Sequence, residues 1–437
     1  MNHIQQEQLR KGEFRFIDLF CGIGGFHQAM EAFGGVCVFA SDIDVACNKV
    51  YQQNYNITSD YDITSVDETK IPKHDVLCGG FPCQAFSKAG KQTGINDTRG
   101  TLFFDILRIL QYHKTHYIFL ENVRNLVSHD NGNTWKVIQQ SLKTLGYRLT
   151  ETPIVFSPHQ IGIPQFRERV YILGVYDPLN VDNPIDLHFN DLFSKDNNSI
   201  YSILDKNIKD PKYSISTYEE MILTAWDEFH QGIDIKTIGF PIWYDFFHCQ
   251  DISQYPQWKQ EFIRKNMELY TRNKKFIQQW ERKYSYLKDF APTHRKFEWQ
   301  CGDSLQSLWE GVIQLRPSGI RVKKPNIFPA LVAIVQIPII GKYKRRLTIN
   351  ECAKLQSFPA DFIPSETQQQ AYKQFGNSVN IDVLKHVFRT FIENEHIQFK
   401  STTIHYNQLD NQLAILRNTL FDNATNYNTS DIKISGH

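Results

Sequence analysis

Apolar positions in the first 177 residues fall into short runs separated by turn residues. Residues 15–20, Arg-Phe-Ile-Asp-Leu-Phe, read as a buried strand, and a glycine turn follows at 21–25, Cys-Gly-Ile-Gly-Gly. Helical spacing over 26–33 stops at Gly34 and Gly35. Residues 35–40 form a second apolar run ending in Ser41, Asp42, Ile43 and Asp44, and a helix is expected from near Val45. A short β-type run at 74–77 leads into Cys78, Gly79 and Gly80, where the backbone is expected to turn sharply. Residues 101–112 carry Phe104, Leu107 and Ile109 at helical spacing, 117–121 form a strand ending in Glu121, 135–145 are amphipathic, and 169–175 form another strand. This alternation predicts an α/β fold with a doubly wound, mostly parallel sheet and ligands at the carboxyl ends of its strands. Asp18, Asp42, Asp62, Cys83 and Glu121 are all expected at or near such ends.

The pattern changes after residue 177. Residues 177–210 are rich in Asn, Asp and Pro with no clean period, and read as a linker or irregular surface. Residues 258–296 place Phe262, Leu269, Phe276 and Trp280 at helical spacing and carry eleven Lys or Arg against four Asp or Glu. That is a long amphipathic helix whose basic face is either solvated or set against phosphates. Residues 316–325 are basic and turn-rich, 328–340 are apolar, and 341–346 are basic again, with Arg345 and Arg346 as solubilisers or phosphate contacts. Thr348 followed by Glu351 predicts a capped helix over 348–355. Residues 374–380, Gln-Phe-Gly-Asn-Ser-Val-Asn, read as a polar turn opening a helix over 381–391. The Asn- and Thr-rich tail beyond 400 is expected to be poorly ordered near its end, apart from a short helix around 409–420.

A chain of 437 residues has room for one large domain and a smaller one, or for two to three ordinary domains. With 41% hydrophobic and 22% charged residues it has the composition of an ordinary globular protein. The formal charge of +1 leaves nucleic acid open as a partner, because a local basic face can sit within a neutral total. Eight cysteines without a Cys-x-x-Cys pair, and the absence of His-Glu-x-x-His, argue against a zinc site or disulfide framework and for a reducing compartment. No metal is expected. Residues 1–13 are polar and do not resemble a signal peptide. The longest apolar run, 331–340, is broken by Gln336 and Pro338 and is too short to span a bilayer.

Two stretches carry candidate chemistry. In the first, Pro82 fixes its own φ and pushes Phe81 into an extended state, so Cys83 is presented on a stiff loop. One thiol on such a turn suits a nucleophile, although a free cysteine is also among the most buried residue types. In the second, a β-α-β unit has glycines at its first turn and Asp42 at the end of its second strand. That arrangement binds a nucleoside cofactor, the backbone approaching through the glycines and the carboxylate accepting ribose hydroxyls. The Gly-x-Gly-x-x-Gly pattern is incomplete, so a pyrophosphate is not implied.

Five stretches together resemble the DNA (cytosine-5)-methyltransferases of bacterial restriction-modification systems. Residues 16–26, Phe-Ile-Asp-Leu-Phe-Cys-Gly-Ile-Gly-Gly-Phe, are similar to the family's first motif, and 80–87, Gly-Phe-Pro-Cys-Gln-Ala-Phe-Ser, resemble its catalytic motif. Glu121-Asn122-Val123, residues 165–169 (Gln-Phe-Arg-Glu-Arg) and 375–379 (Phe-Gly-Asn-Ser-Val) match three more, in the family's order. The likeness covers roughly 14–177 and 316–390, and the interval between about 178 and 315 sits where the family places its variable target-recognition region. Asp42 stands where a longer Glu is usual, and Pro329-Ala-Leu where the family often has Pro-Thr-Leu.

The resemblance implies methyl transfer from S-adenosylmethionine to C5 of a flipped-out cytosine in a short double-stranded DNA sequence. Cytosine C5 is a poor nucleophile until a thiolate adds at C6, which requires Cys83. An acid beside N3, Glu121, neutralises the charge that addition places in the ring. Arg167 and Arg169, two apart on a strand, share one face; Arg169 is expected nearer the base and Arg167 nearer the DNA backbone. The cofactor's adenine is expected at Asp62 and Ile63 and its ribose at Asp42. Its methionine part is expected at the turn of Phe20, Gly22, Ile23, Gly24 and Gly25 and at Asn377 and Val379, with Ile43, Pro82 and Leu102 completing the pocket. The loop 84–100 is expected to close over the flipped base, with Gly90, Gly94 and Gly100 as hinges. Ser87, Lys88, Lys91 and Arg99, with Arg316 and Arg321, are the expected DNA contacts. The domains are expected at 1–177 (catalytic), 178–330 (target recognition), 331–395 (returning catalytic part) and 396–437 (extension). A monomer in the bacterial cytoplasm, associated with the nucleoid through DNA and without membrane contact, is expected beside a cognate restriction endonuclease. Its rival is an RNA (tRNA) cytosine-5 methyltransferase, against which the long recognition segment argues.

Overall fold

The computed structural model describes residues 14–82, 102–190, 192–234, 239–333, 336–397 and 399. By its internal contacts the chain divides into two compact units, Met1–Asn198 with Cys352–His437, and Ser199–Glu351. Residues 178–198, expected in the middle segment, thus belong to the first unit. Asn198 donates there to the carbonyls of His159 and Ser194, and Phe193 N–H to that of Gln160. Residues 331–351, expected with the returning segment, belong to the second.

The first unit is built on β1 (Arg15–Leu19), β2 (Val36–Ser41), β3 (Val76–Gly80), β4 (Tyr117–Val123), β5 (Tyr147–Leu149), β6 (Ile154–Phe156), the two-residue β7 (Gln165–Phe166) and β8 (Arg169–Tyr176). Its main sheet runs in the order β2-β1-β3-β4-β8-β5, with β6 also on β8. The first four strands pair in parallel, and β8 runs antiparallel to β4, β5 and β6. The doubly wound, mostly parallel expectation holds, with one reversed strand. The helices are α1 (Gly25–Glu31), α2 (Val45–Tyr55), α3 (Leu102–His113), the single turn α4 (Asn125–Ser128) and α5 (Asn133–Thr144). β1, β3 and β4 are buried along almost their whole length, as strands covered on both faces must be.

The glycines at 79 and 80 do not make the expected sharp turn. Both lie in β3, opposite Leu120 and Glu121 of β4. A Cβ on Gly79 would come within 3.2 Å of the Leu19 carbonyl, and one on Gly80 within 3.5 Å of the Glu121 carboxylate. Gly79 thus allows a close approach rather than a reversal, while Gly80 leaves ordinary contact distance to the carboxylate.

The second unit holds α6 (Thr217–Gly232), α7 (Gln257–Arg272) and α8 (Lys274–Lys283). It also holds β9 (Ile242–Trp243), β10 (Lys296–Gln300), β11 (Val312–Arg316), β12 (Gly319–Lys323), β13 (Phe328–Pro329), β14 (Ile339–Ile340) and β15 (Arg345–Arg346). Its sheet runs β15-β14-β11-β12-β10-β9, parallel only between β10 and β12. The single long helix expected over 258–296 is two helices broken at Asn273, whose φ of −110° is not helical, and Lys296 already belongs to a strand. Its apolar stripe is core: Leu269 and Trp280 are buried, with Phe276 packed beside them. The segment at 316–325 is mostly strand, since β11 and β12 form a hairpin turning at Pro317 and Ser318. Arg345, expected at the surface, is buried on the carboxylate of Glu351.

The chain returns through α9 (Ile349–Leu355), opened by the expected capping box: Glu351 accepts from Thr348 N–H, and Thr348 Oγ1 from Glu351 N–H. α10 (Gln368–Asn377) and α11 (Ile381–Asn394) follow. Residues 374–377, expected in a turn, are the last turn of α10; the reversal spans only Ser378–Asn380, where Asn380 caps α11. Phe388 of α11 stacks on Phe119 of β4, and Phe26 of α1 meets the same ring edge-on. The last described helix therefore covers the face of the sheet that carries Glu121, two residues along the pleat from Phe119.

Candidate active site

One cleft of about 910 Å³ is cut into the first unit. Phe20, Gly22, Ile23 and Gly25 line it from the turn after β1, Asp42 and Ile43 from the end of β2, and Asp62 and Ile63 from the α2–β3 connection. Pro82, Leu102, Glu121, Arg167, Arg169, Asn377 and Val379 complete the expected set; of the expected cofactor residues only Gly24 is off the wall.

The glycines of the first turn differ in what they do. Gly22 has φ +54°, and a Cβ on it would meet nothing within 4 Å, so bare backbone borders the cleft. Gly24 has φ +86°, and its Cβ would stand 2.2 Å from the Tyr55 ring, whose hydroxyl donates to the carbonyls of Ile23 and Gly24. A Cβ on Gly25 would stand 2.4 Å from Val379, which belongs to the returning segment.

Asp42 is held by the main chain: Oδ2 accepts from Gly22 N–H at 2.9 Å and Oδ1 from Asp44 N–H at 2.8 Å. Burial lifts its pKa in spite of those bonds. Asp44 caps α2 and pairs with Lys373 of α10 at 3.0 Å, while Gln374 donates to the carbonyl of Ala46. Asp62 is exposed. It follows no strand, contrary to expectation, and is fixed by a turn in which it accepts from Thr64 N–H and Oγ1, bonds that lower its pKa. Asp18 is wholly buried within β1 and does not join the cleft.

Glu121 is buried at the end of β4. Its Oε1 lies 3.0 Å from Nε of Arg169. Desolvation raises its pKa, and the charges of Arg169 and Arg167 only partly oppose that. Arg167 is also buried, and its Nη2 donates to the carbonyls of Gly376 and Ser378 at 3.1 and 2.7 Å. The two arginines thus differ: Arg169 faces the carboxylate, and Arg167 binds the main chain of the returning segment.

Asn122 carries no separate role in the sequence pattern, yet its buried amide donates to the Phe81 carbonyl at 2.9 Å. Lys373 and Gln374 likewise stand out only in the structure. Their signal is spatial, since both partners lie more than 300 residues earlier. Cys21 and Cys47 line the cleft, but burial raises both thiols, Cys47 to about 12, so neither is a ready nucleophile. Cys83, Ser87, Lys88, Lys91, Arg99 and the rest of the 84–100 loop lie outside the described residues. So does nearly all of the 396–437 extension. Arg316 and Arg321 lie in the second unit.

A cleft with bare backbone and a held carboxylate suits a nucleoside-bearing cofactor, and a buried acid bonded to a guanidinium suits proton donation to a polar ring. The model of a family described as C-5 cytosine-specific DNA methylase matches residues 14–393. The Type II methyltransferase M.AluI of Cellulosimicrobium cellulans is 33% identical over an alignment of 490 residues, spanning 89% of this chain and 94% of that protein. The Type II methyltransferase M.HhaI of Haemophilus parahaemolyticus is 34% identical over 397 residues, spanning 89% and 96%. The solved structure of the Entamoeba histolytica methyltransferase EhMeth is 21% identical, with a TM-score of 0.49 over 88% of this chain and 99% of that one.

Proposed function

The chain belongs to the C-5 cytosine-specific DNA methylases of the restriction-modification kind, and from that premise we propose how its own residues divide the work. The enzyme methylates cytosine C5 in DNA, and S-adenosylmethionine is its cofactor. When bound, that cofactor supplies an electrophilic methyl group. Gly22 would offer the bare backbone and Asp42 the carboxylate for its ribose, with Ile43, Asp62 and Ile63 for its adenine, and Asn377 and Val379 closing the cleft beside the glycine turn.

Cys83 follows Pro82, which lines the same cleft as Glu121. Its thiolate adds to C6 of the flipped cytosine, and charge moves onto the ring. Glu121, whose burial favours the protonated form, gives a proton at N3. Arg169 holds Glu121 in place and offers its remaining N–H groups to O2. Arg167 positions the Asn377–Val379 wall rather than touching the base. Residues 199–351 contain the target-recognition region. The enzyme acts as a monomer in the bacterial cytoplasm, on nucleoid DNA, beside a cognate endonuclease.

The observation that carries this reading is the Glu121–Arg169 pair in one cleft with Gly22 and Asp42. DNA with 5-fluorocytosine at the target tests it, because fluorine cannot leave C5 as a proton does. A denaturant-resistant complex is expected with the parent enzyme and not with Cys83→Ala. A complex that survives Cys83→Ala would put the nucleophile elsewhere.

A further inference from the structure

In the second unit, β11, β12 and β10 lie side by side, and the pleat sorts their residues onto two faces. Phe297, Trp299, Ile313, Leu315, Ile320 and Val322 point into the core. Glu298, Gln314, Arg316 and Arg321 are on the other face. Register sets Glu298 of β10 opposite Arg321 of β12, and Arg321 opposite Gln314 of β11, so carboxylate, guanidinium and amide form a row. Oε2 of Glu298 accepts from Nη2 of Arg316 at 2.7 Å and from Nε of Arg321 at 2.9 Å, with Nη2 of Arg321 at 2.8 Å. Among the described residues, the side-chain hydrogen bonds of both arginines go to Glu298 alone. Nε of Arg316 and Oε1 of Gln314 are buried without a partner.

We propose that this row reads a guanine edge in the recognised DNA sequence, with Arg316 and Arg321 as the reading pair and Glu298 as the positioning residue that fixes their forks. The proposal rests on the reading that residues 199–351 contain the recognition region. Two guanidiniums on one carboxylate carry a net charge of one, which is poor economy for gripping phosphates. The acid repels a phosphate and so offsets part of what either guanidinium would gain there. A base edge is a neutral row of acceptors. There the acid does no harm, and a locked fork gains the bidentate geometry that guanine O6 and N7 demand. Burial opposes ionisation of Glu298, but the bond from Arg321 and the charges of both arginines outweigh it, so the carboxylate stays charged and the forks stay held. Gln314, next in the row, packs beside Arg321 with its carbonyl oxygen buried, and so backs the pair rather than reading a base itself.

The test combines bisulfite mapping on a randomised plasmid library with the salt dependence of DNA binding. Arg321→Lys keeps the charge and loses the fork. It is expected to relax one guanine position of the site by roughly tenfold or more, with the slope of log K on log salt unchanged. Glu298→Gln is expected to relax that same position while binding to unrelated DNA is kept or strengthened, since a negative charge is gone. Arg316→Ala and Arg321→Ala should agree on the position. Equal weakening on all sequences, with the slope falling by about one per arginine removed, would make these residues phosphate anchors and overturn the proposal. An unchanged map in Arg321→Lys and Glu298→Gln would make the triad structural and also overturn it. Transplanting 199–351 from a relative of different specificity tests the underlying reading separately: an active chimera that keeps the original site removes that reading, whatever the point variants do.

Discussion

Nε of Arg169 stands 3.0 Å from Oε1 of Glu121 across two antiparallel strands, and the pair is diagonal, because Arg169 faces Val123 in the ladder. The carboxylate is buried enough that desolvation outweighs the attraction of the guanidinium. Its proton is therefore held to higher pH than on a free glutamate, and the donor form is lost as pH rises through that raised value. The single-turnover rate should show a descending limb on its alkaline side. Glu121→Gln should slow transfer by about 10²–10⁴-fold, and its residual rate should lack that limb. The same limb in both enzymes would assign the titration to another group.

Gly22→Ala and Gly24→Ala should separate binding from folding. At position 22 the new methyl meets no protein atom, so the cost is the left-handed backbone alone, about 1 kcal/mol. S-adenosylmethionine affinity, measured by calorimetry, should fall well beyond that. At position 24 the methyl collides with the Tyr55 ring, and the melting temperature should drop instead. If Gly22→Ala bound cofactor normally, the turn would not be the cofactor's approach.

Arg167→Ala removes the donor from two carbonyls of the returning segment. Each buried acceptor left unsatisfied costs about 1–3 kcal/mol. Urea unfolding should show the loss, and the KM for S-adenosylmethionine should rise because the Asn377–Val379 wall loosens. Full stability in urea would mean that the carbonyls find other donors.

Asn122→Ala should act through the loop rather than through the cofactor. Its amide holds the Phe81 carbonyl, two residues before Cys83. Rapid-quench measurement should find the rate of covalent adduct formation reduced about tenfold or more, as a small misplacement at a reacting group does. Cofactor affinity should stay within about twofold. A fall in affinity alone would place Asn122 with the cofactor pocket.

That the glycine turn, Asp42 and Glu121 line one cleft was largely legible in the sequence because these signals are local. A glycine turn after one strand and an acid after the next are contiguous in the chain, and so are Glu121 and Asn122. Gly79 has no distinguishing local signature, because glycine serves a turn and a close approach alike, and only the partner, here the Leu19 carbonyl, tells them apart. The reversal of β8 has no local signature either, since a buried strand reads the same in both directions. The break at Asn273 was hidden by an apolar spacing that runs straight across it. Lys373 could not have been found at all: an ion pair at a separation of 329 residues leaves no pattern on the chain.

That separation also sets a schedule. A ribosome adding about 5–20 residues per second delivers Lys373 on the order of 20–60 seconds after Asp44. Until then the nascent polypeptide lacks one side of the cleft, the side supplied by Gly376, Ser378 and Val379. Translation that stalls or terminates before this point releases a fragment without the complete cleft, whose lining is finished only with Val379.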